Sequence, residues 1–106
     1  MVTDAGVFRA LSDHTRRRIL HELRDGELAA GDIASRFPIS GPSISRHLSI
    51  LKGAGVIAER RDGNRIYYRL EQERLAASVG AFLSSVCPVD VVARGRRRSR
   101  SETPAV

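Results

Sequence analysis

Cysteine, lysine and long apolar runs are what this chain of 106 residues has least of. The single cysteine, Cys87, excludes an internal disulfide framework and any multi-cysteine zinc site. No apolar run approaches the roughly 18–20 residues needed to cross a bilayer. The opening Met1-Val2-Thr3-Asp4-Ala5-Gly6 lacks the basic and apolar regions of a secretory signal. The expectation is a soluble cytoplasmic chain with no membrane role. Lys52 is the only lysine against 17 arginines, which reads as coding bias more than function. Catalytic patterns are missing too. The chain has no Gly-rich phosphate loop and no His-x-x-x-His pair, and Ser43, Ser45 and His47 have no acidic orienter beside them, so no enzyme is expected.

What is there amounts to one domain, 42% hydrophobic and 28% charged. A chain of this size buries only about two-thirds of its unfolded surface, so oligomerisation is a plausible source of extra burial. The formal charge of +6 is unevenly spread. Residues 94–100 carry five arginines and no acid, while the first 93 residues hold 13 basic and 11 acidic side chains. Whatever the folded part binds, it does so through local charge placement.

Periodicity organises the rest. Val7, Phe8 and Leu11 share a helix face in a segment from about Asp4 to Leu11. Ser12-Asp13 offers an N-cap for a helix over His14 to Arg24 with Ile19, Leu20 and Leu23 as its stripe, ended by Asp25-Gly26. A shorter helix over Ala29 to Arg36, with Leu28, Ile33 and Phe37 inward, stops at Pro38. Ser40 caps the next, Gly41 to Gly53, which tolerates Pro42 in its first turn and buries Ile44, Leu48 and Leu51. The period then becomes that of strands, Val56 to Arg61 and Asn64 to Leu70, with Asp62-Gly63 as a tight turn between them. A last helix, Glu71 to Val86, carries the wide stripe Leu75, Val79, Phe82, Leu83 and Val86 before Pro88. From about Ala93 onward the composition cannot bury enough apolar surface to order itself. The expected fold is mainly α with a two-stranded β-hairpin, a winged helix-turn-helix. Residues 1–92 are expected to form a DNA-binding and dimerisation domain, and 93–106 a disordered Arg-rich tail.

Once Ile44, Leu48 and Leu51 are buried, the helix over 41–53 exposes Ser40, Ser43, Ser45, Arg46 and His47. Hydroxyls can bond phosphate or base, Arg can grip guanine O6 and N7 together, and a helix N-terminus attracts phosphate. The bland alternative is an ordinary capped surface helix. Arg60, Arg61, Asn64 and Arg65 flank the hairpin turn, where the alternative is an edge strand blunted by arginine. From Ser40 to Arg65 there are five basic residues against two acids, so positive charge gathers where a DNA backbone would lie.

These residues resemble a known family. Phe8-Arg9-Ala10-Leu11-Ser12-Asp13-His14-Thr15-Arg16-Arg17-Arg18-Ile19-Leu20 is similar to the opening signature of the ArsR family of bacterial repressors. Gly31-Asp32-Ile33-Ala34, Ser43 to Leu51 and Ala54-Gly55-Val56-Ile57 resemble its helix-turn-helix, and Arg61 to Leu70 its wing. The resemblance runs from about Val7 to Leu70, with His14 standing where proline is common. It implies sequence-specific binding of double-stranded operator DNA and transcriptional repression. It also implies a homodimer built from the first and last helices, here through Val7, Phe8, Leu75, Val79, Phe82, Leu83 and Val86.

Metal-sensing members carry paired cysteines before the turn, or His and carboxylates on the last helix. Here Glu27-Leu28-Ala29-Ala30-Gly31-Asp32 has no thiolate, and the last helix has Glu71 and Glu73 but no histidine. His14 and His21 are seven residues apart, roughly 10 Å along a helix, too far for one ion. No metal site or cofactor is expected. The pattern is closer to the metal-independent autorepressor branch, regulated by a partner protein or a cellular signal. Two alternatives stay open: a redox- or metal-responsive repressor of the same fold, with Cys87 as the redox candidate, and a winged-helix module for protein or RNA.

Overall fold

The computed structural model describes residues 4–101, with side chains described for 5–95. Its elements run α1 (Asp4–Leu11), α2 (His14–Glu22), β1 (Leu28–Ala29), α3 (Ala30–Ala34), α4 (Gly41–Gly53), β2 (Ile57–Asp62), β3 (Arg65–Leu70), α5 (Gln72–Val86) and α6 (Val89–Ser101). This is the expected winged helix-turn-helix, with two additions.

The first is β1. Two residues long, it pairs antiparallel with β3, Leu28 opposite Tyr68 and Ala29 opposite Tyr67, giving a three-stranded sheet of order β1-β3-β2. The short helix α3 therefore begins at Ala30 and ends at Ala34, inside the span expected for it. The second is α6, which is helical across residues 93–101, where no structure was expected. Poor burial argues against packing, not against a local helix: arginine and alanine are strong helix formers, and Asp90 pairs with Arg94 one turn on at 3.1 Å. Residues 102–106 of the expected tail lie outside the described residues.

Caps fix the helix that matters most. The Ser40 Oγ accepts the Ser43 amide at the start of α4, and Pro42 sits in its first turn, where its missing N–H costs nothing. At the other end Gly55 takes a φ of +79°, and the Val56 amide reaches back to the Leu51 carbonyl at 3.3 Å. That is a Schellman closure, which hands the chain directly into β2.

The wing turn lies one residue later than expected. Asp62 and Arg65 are paired across the strands, leaving Gly63-Asn64 as the two-residue loop. Gly63 has φ +62° and Asn64 is not in the positive-φ region, as in a type II′ turn.

Ile19, Leu23, Ile33, Leu51, Val7 and Val56 are the largest fully buried side chains, joined in one core by Ile44, Leu48, Phe37 and Tyr68. Helix α4 packs on α1, α2 and β2. Its buried stripe thus fixes which side of it faces outward.

Candidate nucleic-acid interface

With Ile44, Leu48 and Leu51 in the core, Ser45 and Arg46 are exposed on the first half of α4. The Arg46 guanidinium has no ion-pair or hydrogen-bond partner among the described residues. Ser40 and Ser43 come together at the helix start, with their Oγ atoms 2.9 Å apart. Part of their hydrogen-bonding capacity is spent on the cap, leaving hydroxyl lone pairs and protons that can still turn outward.

His47 is placed differently from its neighbours. It is only 18% exposed, with Nδ1 3.8 Å from Asp13 Oδ2 and 3.3 Å from Arg16 Nη1. Asp13 is the N-cap of α2 and accepts the Arg16 amide at 3.0 Å. That bond chiefly holds the Asp13 carboxyl below its ordinary value; partial burial opposes the effect, and the charges of His47 and Arg16 reinforce it. The start of α2 and the middle of α4 are therefore linked through polar side chains.

In the wing, the four expected contact residues divide. Arg60 is anchored: Nε donates to Glu27 Oε2 at 3.0 Å, Nη2 to Glu27 Oε1 at 2.6 Å, and the guanidinium lies 4.5 Å from the centroid of the Tyr67 ring. The hydrogen bond from Arg60 lowers the Glu27 carboxyl from its usual range, and the same bond raises Arg60. This fork ties the base of the wing to the segment leading into β1. Arg61 is largely exposed, 3.9 Å from Glu59. Asn64 and Arg65 lie at the tip, lining a shallow cleft with Ala29, Ala30, Gly31 and Asp32. The Arg65 guanidinium, like that of Arg46, has no partner among the described residues.

Sequence reading counted Glu59 but not its partners, and missed Glu27 as the acid that holds Arg60. Glu59 holds Lys52 at 3.3 Å and accepts from the Tyr68 hydroxyl at 3.3 Å. Burial chiefly, then the Glu59 charge, pushes the Tyr68 phenol up. Arg60 takes its short, two-pronged contact from Glu27 outside the hairpin, with Asp62 of the hairpin 3.9 Å from Nη1. Among the described residues, the free cations of the region reduce to Arg46 and Arg65, with Arg61 loosely held.

The apolar surface expected to form a dimer also divides. Val7 is 0% exposed and sealed in the core, so, contrary to the expectation, it has no surface left for a partner. Leu75 and Val79 are half-buried against the core. Phe8 and Phe82 meet edge-to-face at a centroid distance of 5.3 Å, and Phe82 is 50% and Val86 63% exposed. Leu83 is exposed beside them, giving an open apolar face along α5.

Among the described residues no three His, Cys, Asp or Glu side chains are grouped so as to hold a metal ion. Cys87, half-buried, caps the C-terminus of α5 through its amide, which donates to the Leu83 carbonyl at 2.8 Å. No helix is long and apolar enough to cross a membrane among the described residues.

Comparison with known proteins agrees with this geometry. Residues 11–60 match a helix-turn-helix domain family. The transcriptional repressor SdpR of Bacillus subtilis is 51% identical over 80 residues, covering 76% of this chain and 89% of its own length. Among solved structures, an ArsR family transcriptional regulator superposes with a TM-score of 0.72 at 31% identity, over 76% of this chain and 88% of that one. An ArsR-like transcriptional regulator from Rhodococcus sp. RHA1 gives a TM-score of 0.70 at 31% identity, over 96% of this chain and 92% of that one.

Proposed function

The chain belongs to the ArsR family of winged helix-turn-helix transcriptional repressors, and from that premise we propose that it represses as a homodimer on an approximately palindromic operator. Helix α4 enters the major groove, with Arg46, Ser43 and Ser45 directed at base edges and phosphates. Asn64, Arg65 and Arg61 at the wing track the adjacent backbone. Ser40 and the first turn of α4 receive a phosphate, and Arg60 acts from behind by holding the wing in place. His47 contributes an imidazole from within the same helix.

The observation that carries this reading is the division of the cations. Arg60 and Lys52 are paired internally, whereas the guanidinium groups of Arg46 and Arg65 have no partner among the described residues. Unpartnered arginine on a groove-sized helix and on a wing tip suits phosphate and base contact. The dimer is supported by the open face of Phe8, Phe82, Leu83 and Val86. Two-fold pairing across it would set two recognition helices about 34 Å apart, one turn of duplex. Residues 1–92 supply both functions, and the arginines of 94–100 add sequence-independent attraction to DNA.

The protein is proposed to be a cytoplasmic regulator without catalytic activity or metal effector, released by a partner protein or a cellular signal. The absence of thiolates in 27–32 and of histidine in 71–86 supports the metal-independent reading. Titrating the protein onto its own upstream duplex, an unrelated duplex and single-stranded RNA over a range of salt tests the proposal. Preferential, salt-dependent retardation of the upstream duplex is expected. Equal binding to all three, or a preference for RNA, would overturn it.

A further inference from the structure

Three elements converge on one guanidinium. Arg16 Nε donates to the Ala10 carbonyl at 2.8 Å and Nη2 to the Arg9 carbonyl at 3.0 Å. Both are carbonyls of the last turn of α1, beyond the reach of its i+4 amides; that of Arg9 also accepts the Ser12 amide at 3.2 Å and the Ser12 hydroxyl at 2.7 Å. The third nitrogen, Nη1, lies 3.3 Å from Nδ1 of His47 on α4. A guanidinium carries only donors and keeps its charge, so Nδ1 facing it can only accept. The competing acceptor, Asp13 Oδ2, is 3.8 Å away, beyond hydrogen-bond reach, and is already engaged by the Arg16 amide at 3.0 Å. A neutral imidazole whose Nδ1 accepts must carry its proton on Nε2.

We propose that Arg16 fixes His47 in the Nε2–H form, making it a hydrogen-bond donor of set direction on the DNA-reading helix, and that Arg16 is a positioning residue for operator choice. The operator half rests on the reading of α4 as the helix that enters the groove. A donor held in this way selects acceptors on the base edges, N7 or O6 of guanine, N7 of adenine or O4 of thymine. It finds no partner in the exocyclic amino groups of cytosine and adenine. The same fork holds the end of α1, so the orientation of His47 is tied to the helix that bears Phe8.

The tautomer is read directly from long-range proton–nitrogen correlation spectra of the full chain at about pH 8, where an ordinary imidazole is neutral. The ring of His47 is assigned by its loss in His47→Gln. Unaltered protein is expected to show a protonated Nε2 and an unprotonated Nδ1; the reverse pattern would overturn the proposal. Arg16→Met is expected to mix the two forms and to lower the ratio of operator to unrelated-duplex affinity about tenfold, as loss of one base contact would. An unchanged ring spectrum in that variant would equally overturn it. Should Arg16→Met fold poorly, His47 itself decides the matter. His47→Gln, whose amide reaches the Nε2 position, keeps most of the operator preference, and His47→Asn, which reaches only the Nδ1 position, loses it; the opposite order refutes the directed donor. If the unaltered protein shows no operator preference at all, the operator half falls with the DNA-binding reading, while the ring spectrum still settles the tautomer.

Discussion

Replacing Phe82 by alanine probes the open face of α5 at its largest side chain. Half of Phe82 is exposed on the protomer, and its buried half rests on Phe8. Full burial of such a side chain contributes about 1.5–3 kcal/mol, so the exposed half would supply about 0.75–1.5 kcal/mol in a dimer. Two-fold symmetry doubles this to about 1.5–3 kcal/mol, equivalent to a rise of about 12- to 150-fold in the dimer dissociation constant. The protomer loses the edge-to-face pair, about 0.5–1.5 kcal/mol. The helix itself is unharmed, since alanine is the best helix former. Sedimentation equilibrium over a range of concentrations measures the first effect and thermal unfolding the second. Val7→Ala is the control: Val7 is wholly buried, so its truncation lowers protomer stability by about 1–3 kcal/mol and leaves association of the folded protein unchanged. If Phe82→Ala dimerises as tightly as the unaltered protein, or Val7→Ala alone weakens the dimer, the assignment of this face is refuted.

Three further outcomes follow from the same geometry. Arg46→Ala is expected to cost about 1–3 kcal/mol of discrimination between operator and mismatched duplex, measured by competition binding, if the guanidinium grips a guanine; a uniform loss across sequences would make it a phosphate clamp instead. Asp13→Ala removes the cap of α2 and is expected to cost about 1 kcal/mol in denaturant unfolding near neutral pH. Because the folded carboxyl titrates below its ordinary 3.8, that contribution is present in full above about pH 4 and is lost as pH falls through the lower folded value. The stability gap between variant and parent should therefore close in acid, and a gap that widened would contradict the cap. Deleting residues 94–106 is expected to weaken binding to unrelated duplex and flatten its salt dependence, leaving dimerisation and operator preference intact.

Much of this architecture was legible because apolar spacing is a strong signal over a full helix. Ile44, Leu48 and Leu51 at i, i+4 and i+7 define the buried side of α4, and hence its exposed side, from spacing alone. Two residues have no period, so Leu28-Ala29 gave no sign of pairing with β3. The Asp62-Gly63 dipeptide marked the turn but not its phase; cross-strand pairing of Asp62 with Arg65 moved the loop to Gly63-Asn64. Spacing also could not separate Val7 from Phe8. They are neighbours on α1, yet one is sealed in the core and the other looks across to Phe82.

Charge was the least legible property. Counting along the chain between Ser40 and Arg65 sees Glu59 and Asp62 but not Glu27, which lies 33 positions from Arg60 and holds it. His47 likewise looked like one more polar residue on an exposed face. Its link to Arg16 crosses 31 positions and exists only after α2 and α4 have packed. The arginines next to the Asp13 cap were visible as a run, but nothing in the run distinguished Arg16, which bridges three helices, from Arg17, which satisfies the Leu11 carbonyl at 2.7 Å.

Footprinting on the duplex upstream of the protein's own coding region tests the central claim most directly, that a two-fold dimer reads an operator with paired α4 helices. Two protected half-sites are predicted, with centres about 10–10.5 base pairs apart and related by approximate inverted symmetry. Protection within each should be lost in Arg46→Ala. A single unpaired protected site, or continuous protection without sequence boundaries that Arg46→Ala leaves unchanged, would contradict the account.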